Sequence, residues 1–221
     1  MATKKAEISK DKIVSMYMDY VLEHNEKPKS VYQFSKLNNI TEKEFYNFFG
    51  TIESIEKEIF NLFFEKTISL LQKDKDFESY DMRSKLLSFN FTFFELLTAN
   101  RSYVLLTLKE SGSQLKNLMQ LTILRSSYKD FVSEIITEDI KTKQEQFQNF
   151  QEKAIQESCW FQLLLTMKFW MDDTSPALEK TDIYIEKSIN TTFELFNLAR
   201  NPPPAIPNDT FLIRLVLGSL T

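Results

Sequence analysis

Apolar residues recur along most of this chain three and four positions apart, and strict alternation is hard to find. That period predicts amphipathic helices rather than strands. No proline lies between Pro28 and Pro176, and Gly50 and Gly112 are the glycines in that stretch, so long helices are favoured. The expected class is all-α. A first helix is predicted over Lys10–His24, with Ile13, Tyr17, Tyr20 and Val21 facing inward and Met16 alongside. Ser30 caps a short second helix in which Val31, Phe34 and Leu37 recur, with Gln33 at the reciprocal capping-box position. Asn38-Asn39 supplies a turn that tolerates left-handed backbone. Thr41 opens a third helix as the first member of a Thr41-x-x-Glu44 capping box, with Phe45, Phe48 and Phe49 as its inner side.

The pattern continues into longer elements. Thr51 caps a helix reaching about Gln72, lined by Ile52, Ile55, Ile59, Leu62 and Phe63 and widened by Phe60 and Phe64. The charged run Lys73–Tyr80 is a connector. Asp81 is the expected N-cap of Met82–Thr98, a helix so apolar all round that burial on every side is expected. A shorter helix runs from Asn100 or Arg101 to about Glu110 and is broken by Ser111-Gly112-Ser113. Another starts at Gln114, and its period continues through Tyr128, Phe131, Ile135 and Ile136. Gln144–Asp172 reads as one helix of about eight turns, polar at first around Phe147 and Phe150, then apolar apart from Gln162 and Lys168. Ser175 with Pro176 at the first helical position opens the last helix, which carries Leu178, Ile185, Ile189, Phe193 and Phe196 to about Ala199. Asn201-Pro202-Pro203-Pro204 ends regular structure, and the apolar tail Phe211–Leu217 is expected to dock. Residues 1–8 are a polar tail.

Two short helices joined by a tight turn form a helix-turn-helix, whose second helix can enter a DNA major groove. The residues that build it also resemble the DNA-binding signature of the TetR family of bacterial transcriptional regulators. That pattern runs roughly T-V-x-x-I-A-x-x-A-G-V-S-x-G-x-x-Y-x-H-F-x-x-K. Ser30, Val31, Phe34, Ser35, Ile40, Thr41, Tyr46 and Phe49 match it without a gap, and the match extends to Ile13–Leu22 upstream and Ile55–Leu62 downstream. It covers about the first sixty residues. Asn39 replaces the family's turn glycine, Lys43 its small glycine in the recognition helix, Phe48 its histidine and Ile52 its lysine.

The resemblance implies a three-helix head over residues 1–60 and a larger body over residues 61–221, about nine or ten helices in all. It implies a homodimer through the last two long helices and an operator of double-stranded DNA. Carried over position by position, the DNA contacts would be Ser30, Tyr32, Thr41, Lys43, Glu44, Tyr46 and Asn47. The body of this family often encloses a small, largely apolar effector that changes the spacing of the two heads. Phe93, Phe94, Tyr103, Met119, Trp160, Met167, Phe169 and Trp170 are the candidate lining; taken singly, each is better read as filling the core.

Charge modifies this picture. The formal net charge is −4. Residues 1–60 hold nine lysines against ten acidic residues and no arginine, the first being Arg83. Arginine is the commonest specific reader of guanine, although Lys, Tyr, Ser, Thr and Asn also contact phosphates and bases. Glu42 and Glu44 suit a helix N-terminus but repel a phosphate backbone. A second reading therefore stands beside the regulator: a protein of TetR-like fold that no longer reads DNA and binds a lipid or other hydrophobic ligand.

Other chemistry is thinly represented. One histidine, His24, and one cysteine, Cys159, leave no basis for a metal site or an internal disulfide. With no cation beside it in sequence, Cys159 reads as a buried, inert thiol. No nucleotide loop or nucleophile elbow appears, so no catalytic residues, no cofactor and no enzymatic activity are expected. Neither a signal-peptide run nor a stretch of about 18 apolar residues is present, and a cytoplasmic location is expected.

Overall fold

The computed structural model describes residues 8–109, 121–143 and 149–200. All regular structure among these residues is helical: α1 (Lys10–His24), α2 (Val31–Leu37), α3 (Glu42–Tyr46), α4 (Ile52–Leu71), α5 (Met82–Ala99), α6 (Arg101–Lys109), α7 (Thr122–Lys143), α8 (Asn149–Asp172) and α9 (Glu179–Arg200), with 3₁₀ turns at Phe77–Ser79 and Pro176–Leu178. The expected start at Gln114, Met119, the side chains of Phe147 and Phe150, and the tail beyond residue 200 lie outside what is described.

Local capping explains most helix starts. Ser9, Ser30, Thr41, Thr51 and Asp81 each accept a backbone N–H from the first turn of their helix, which typically stabilises a helix by about 1 kcal/mol. Thr41/Glu44 closes a full capping box, and so does Thr51 with Ser54. The box expected at Ser30 is shifted by one residue. Gln33 Oε1 accepts from Lys29 N at 3.2 Å rather than from Ser30. Asn39 takes the left-handed conformation at φ 53, the geometry for which a glycine is otherwise favoured.

Periodicity misplaces several side chains. Leu37 is 56% exposed, because a repeat of three drifts about 60° around a helix at each step. Phe48 is 40% exposed; α3 ends at Tyr46, and beyond its C-cap Asn47 helical spacing no longer sets the facing. Nor is α5 buried all round. Its inner stripe is Met82, Leu86, Phe89, Phe93, Phe94 and Leu97 with Lys85 and Asn90, while Phe91 is exposed and Leu87 and Leu96 are half-buried.

The last helix also begins later than Ser175-Pro176 suggests. Pro176–Leu178 forms a 3₁₀ turn, with Ala177 and Leu178 at positive φ, and α9 starts at Glu179. The physical reason is Asp173, whose carboxylate gathers this turn. It accepts from the Ser175 backbone N–H and hydroxyl at 2.8 and 2.7 Å and from those of Thr181 at 2.9 and 2.7 Å.

Helices α4, α5, α7, α8 and α9 pack as a body: α4 against α5 and α7, α8 against α7 and α9, and α9 against α5. Helices α2 and α3 pair with each other, and α1 leans on α4 and α6. One continuous apolar core runs from Ile13 and Tyr17 through Phe64, Phe89 and Tyr128 to Trp170 and Ile189.

Candidate nucleic-acid interface and effector site

Tyr17 holds the head together. Its ring meets Phe34 of α2 edge-on at 6.3 Å and Tyr103 of α6 at 6.5 Å. Its hydroxyl donates to Glu56 of α4 at 2.6 Å. Phe34 in turn meets Phe45 at 5.8 Å, which pins α2 to the one-and-a-half turns of α3. His24 is structural: it stacks on Tyr20 at 4.1 Å and its Nδ1–H donates to the Tyr20 carbonyl.

On this frame Ser30, Tyr32, Thr41, Lys43, Tyr46 and Asn47 are exposed and Glu44 is half-buried. The pinned pair α2–α3 carries all seven. Their commitments differ. The hydroxyls of Ser30 and Thr41 accept the cap bonds of their helices at 3.1 Å. Glu44 folds back on Thr41, accepting from its backbone N–H at 2.6 Å and its hydroxyl at 2.9 Å. Asn47 is the C-cap of α3. Lys36, not singled out in the sequence, places its ammonium 5.8 Å from the Tyr32 ring centre; its i, i+4 spacing from Tyr32 is the signal that could have found it. Two head lysines face acids of α4: Lys27 meets Glu56 at 2.8 Å and Lys10 meets Glu58 at 2.9 Å.

The described candidate effector residues fall in four places. Phe93, Phe94, Met167 and Trp170 are buried, with Phe93–Phe94 at 5.8 Å and Phe94–Trp170 at 6.3 Å. Trp160 lies further along α8 against Tyr128 at 6.1 Å, and the stacked rings Phe89 and Phe93 bridge the two places. Tyr103 is instead at the junction with the head. Phe169 is apart from all of these, half-buried and stacked on Tyr184 of α9 at 4.4 Å.

Arg101 and Asn90 were not anticipated from the sequence. The Arg101 guanidinium lies 4.5 Å from the Trp170 ring centre and donates to the carbonyls of Trp170, Met171 and Asp173 at 2.8, 3.4 and 2.9 Å. Asn90 is a fully buried polar residue in register with Leu86, Phe93 and Leu97, and that helical spacing was its available signal. Cys159 is buried, and burial pushes its thiol up to about 12, so it stays protonated.

A family model described as tetracyclin repressor-like, C-terminal domain, matches residues 85–206. The chain belongs to the TetR family. That match runs from α5 through α9, whereas the signature residues lie in and beside α2 and α3, so the two come from different parts of this TetR-family chain. Among solved structures, a TetR transcriptional regulator from Nitrosomonas europaea is similar at 12% identity and a TM-score of 0.56, over 84% of this chain and 98% of that one. The fatty acid degradation regulator FadR from Bacillus halodurans is similar at 15% identity and 0.51, over 86% and 96%. At these identities the likeness is one of fold. No curated protein matches the sequence. Among the described residues no helix is long and apolar enough to cross a membrane.

Proposed function

We propose that this TetR-family protein is a homodimeric, ligand-responsive transcriptional regulator. Its head, residues 1–60, holds operator DNA, with Ser30, Tyr32, Thr41 and Tyr46 toward phosphates and Lys43, Glu44 and Asn47 toward base edges. Its body, residues 61–221, takes a small, largely apolar effector among Phe93, Phe94, Met167 and Trp170 and pairs with its copy through α8 and α9. The effector shifts the head spacing by its differential affinity for two states of the dimer. The observation that carries this reading is the capped α2–α3 pair, rigidly joined by Phe34 and Phe45, with Lys43, Tyr46 and Asn47 exposed on its second helix. One structurally similar protein is a regulator of fatty acid degradation, which agrees with an apolar effector.

The rival reading, a hydrophobe-binding protein that no longer reads DNA, draws on the head's electrostatics. Lys10 and Lys27 are each engaged by a glutamate, and no arginine supplements the remaining lysines. Selection of genomic fragments by the purified protein, followed by a salt titration, separates the two. The regulator should enrich a palindromic site whose affinity falls steeply as salt rises. Lys43→Ala should then weaken that site by about tenfold, within the range of about 1–3 kcal/mol for a lost base contact. Absence of any enriched fragment, and of binding even at low salt, rejects DNA recognition and leaves the hydrophobe-binding protein.

A further inference from the structure

Two polar atoms stand unpartnered in the most aromatic part of the body. Asn90 of α5 and Tyr128 of α7 are both fully buried. Asn90 Nδ2 donates to the Leu86 carbonyl at 2.8 Å, within its own helix. Among the described residues its Oδ1 has no hydrogen-bond partner, and neither has the Tyr128 hydroxyl. The two side chains are neighbours: hydrogen bonding from the Asn90 amide acts to lower the Tyr128 phenol, the smallest of the influences on it, yet neither Asn90 Oδ1 nor the Tyr128 hydroxyl closes a bond of good geometry. Phe89, Phe131 and Trp160 surround the phenol, with ring centres at 5.1, 6.4 and 6.1 Å. Buried polar groups almost always find partners, and one that does not calls for an explanation such as an absent ligand or water.

Valence defines what would satisfy both. Asn90 Oδ1 can only accept, and the Tyr128 hydroxyl can donate. A single ligand group that accepts from Tyr128 and donates to Asn90 completes the pair; hydroxyls and primary amides do this. A carboxylate accepts from Tyr128 but meets the Asn90 oxygen lone pair against lone pair. Two described cations on these helices that might compensate a carboxylate are engaged elsewhere. Lys129, next to Tyr128 in sequence, bonds Glu157 at 2.7 Å, and Lys85 lies over the Phe77 ring. The surroundings keep the local groups neutral too: burial first, and then Cys159, hold the Tyr128 phenol well above its ordinary range.

We propose that Asn90 and Tyr128 are the polar anchor of the effector site, and that the effector is an uncharged amphiphile with a hydroxyl or amide head on an apolar body. This rests on reading the body as an effector domain. It is tested by calorimetric titration of the full-length protein with 1-octanol, octanamide, octanoate and octane, on wild type and on Tyr128→Phe and Asn90→Leu. Octanol and octanamide should bind wild type at least tenfold more tightly than octanoate. Both substitutions should weaken octanol and octanamide about tenfold and leave octane unchanged. Ligand-free Tyr128→Phe should melt at or above the wild-type temperature, because it removes a hydroxyl with no partner.

Equal binding of octanoate and octanol overturns the anchor, and so does wild-type affinity in Tyr128→Phe. A lowered melting temperature of ligand-free Tyr128→Phe also overturns it, by showing that the hydroxyl has a structural bond. In each of these cases an effector domain for apolar molecules still stands. If none of the four probes binds, that reading fails together with the anchor.

Discussion

Asp173 is the residue whose chemistry was least visible from its position. Beside Asp172, ahead of Ser175-Pro176, it reads as part of a helix break. In the fold it is buried and accepts four hydrogen bonds from Ser175 and Thr181. Burial opposes its charge, but those bonds outweigh burial and lower its carboxyl from 3.8 to about 2. A carboxylate with a depressed folded pKa contributes stability that is complete above its unfolded pKa and is lost as pH falls through the folded one. Asp173→Asn keeps the size but cannot accept all four bonds. It should lower the melting temperature by several degrees at pH 6, as expected for losing about 1–2 kcal/mol of capping. The gap from wild type should narrow between about pH 4 and pH 2. Thermal melts followed by circular dichroism across that range check this; a gap independent of pH would mean that the charge is not what the turn uses. Ser175 is the N-cap of the 3₁₀ turn, with Pro176 first in it as expected, but its hydroxyl makes no cap bond there and accepts from Lys180 N at 3.2 Å instead. A carboxylate eight residues before Thr181 can outcompete it only once the turn has folded.

Elements were more legible than individual facings. The caps at Ser30, Thr41, Thr51 and Asp81 are local hydrogen bonds between residues three apart, so they can be read directly from the chain. Leu37 and Phe48 could not be, since the three-residue repeat has drifted off the inner face by Leu37 and Phe48 lies beyond the end of α3. The junction of α5, α6 and α8 was least visible, because it rests on bonds spanning about 70 residues. Arg101, the first residue of α6, reaches the end of α8 and gives its last carbonyls donors that the helix itself cannot supply. Trp170 beneath it donates to Thr98 at 3.0 Å, so one ring and one guanidinium join three helices. Lysine cannot reproduce a planar fork stacked on an indole. Arg101→Lys should therefore destabilise the protein by about 2 kcal/mol, given about 1.5–3 kcal/mol for a hydrogen bond to a charged group. Urea denaturation should show a lower midpoint with an unchanged slope. A midpoint equal to wild type would mean that the carbonyls are served as well by water.

At the scale of the whole molecule, the unexplained surface is apolar and lies on α8 and α9. The inner side of α8 is spent on Trp160, Leu163, Leu164, Met167 and Trp170, and Gln162 donates across to Ser188 of α9 at 3.0 Å. Its other side carries Phe161, 55% exposed, with Leu165 one turn on; neighbouring α9 exposes Ile183 and Leu195. Single exposed apolar residues mean little, but a helix apolar on both sides belongs between two partners, and the described residues supply only one. The proposed two-fold dimer supplies the other. In such an interface each side chain appears twice, so Phe161→Glu removes two anchors and introduces two carboxylates. At about 2 kcal/mol or more for each lost aromatic anchor, dimer affinity should fall by about a thousandfold, and light scattering after size exclusion should find monomer at micromolar concentration. Helical content should be unchanged, since Phe161 is 55% exposed and lies outside the described core. Binding to a palindromic operator should be lost in parallel, because two half-sites need two joined heads. A Phe161→Glu protein that remains dimeric would place the contact elsewhere and remove α8 from the proposed pairing. A monomer that still binds the operator with wild-type affinity would break the link between dimerisation and DNA recognition.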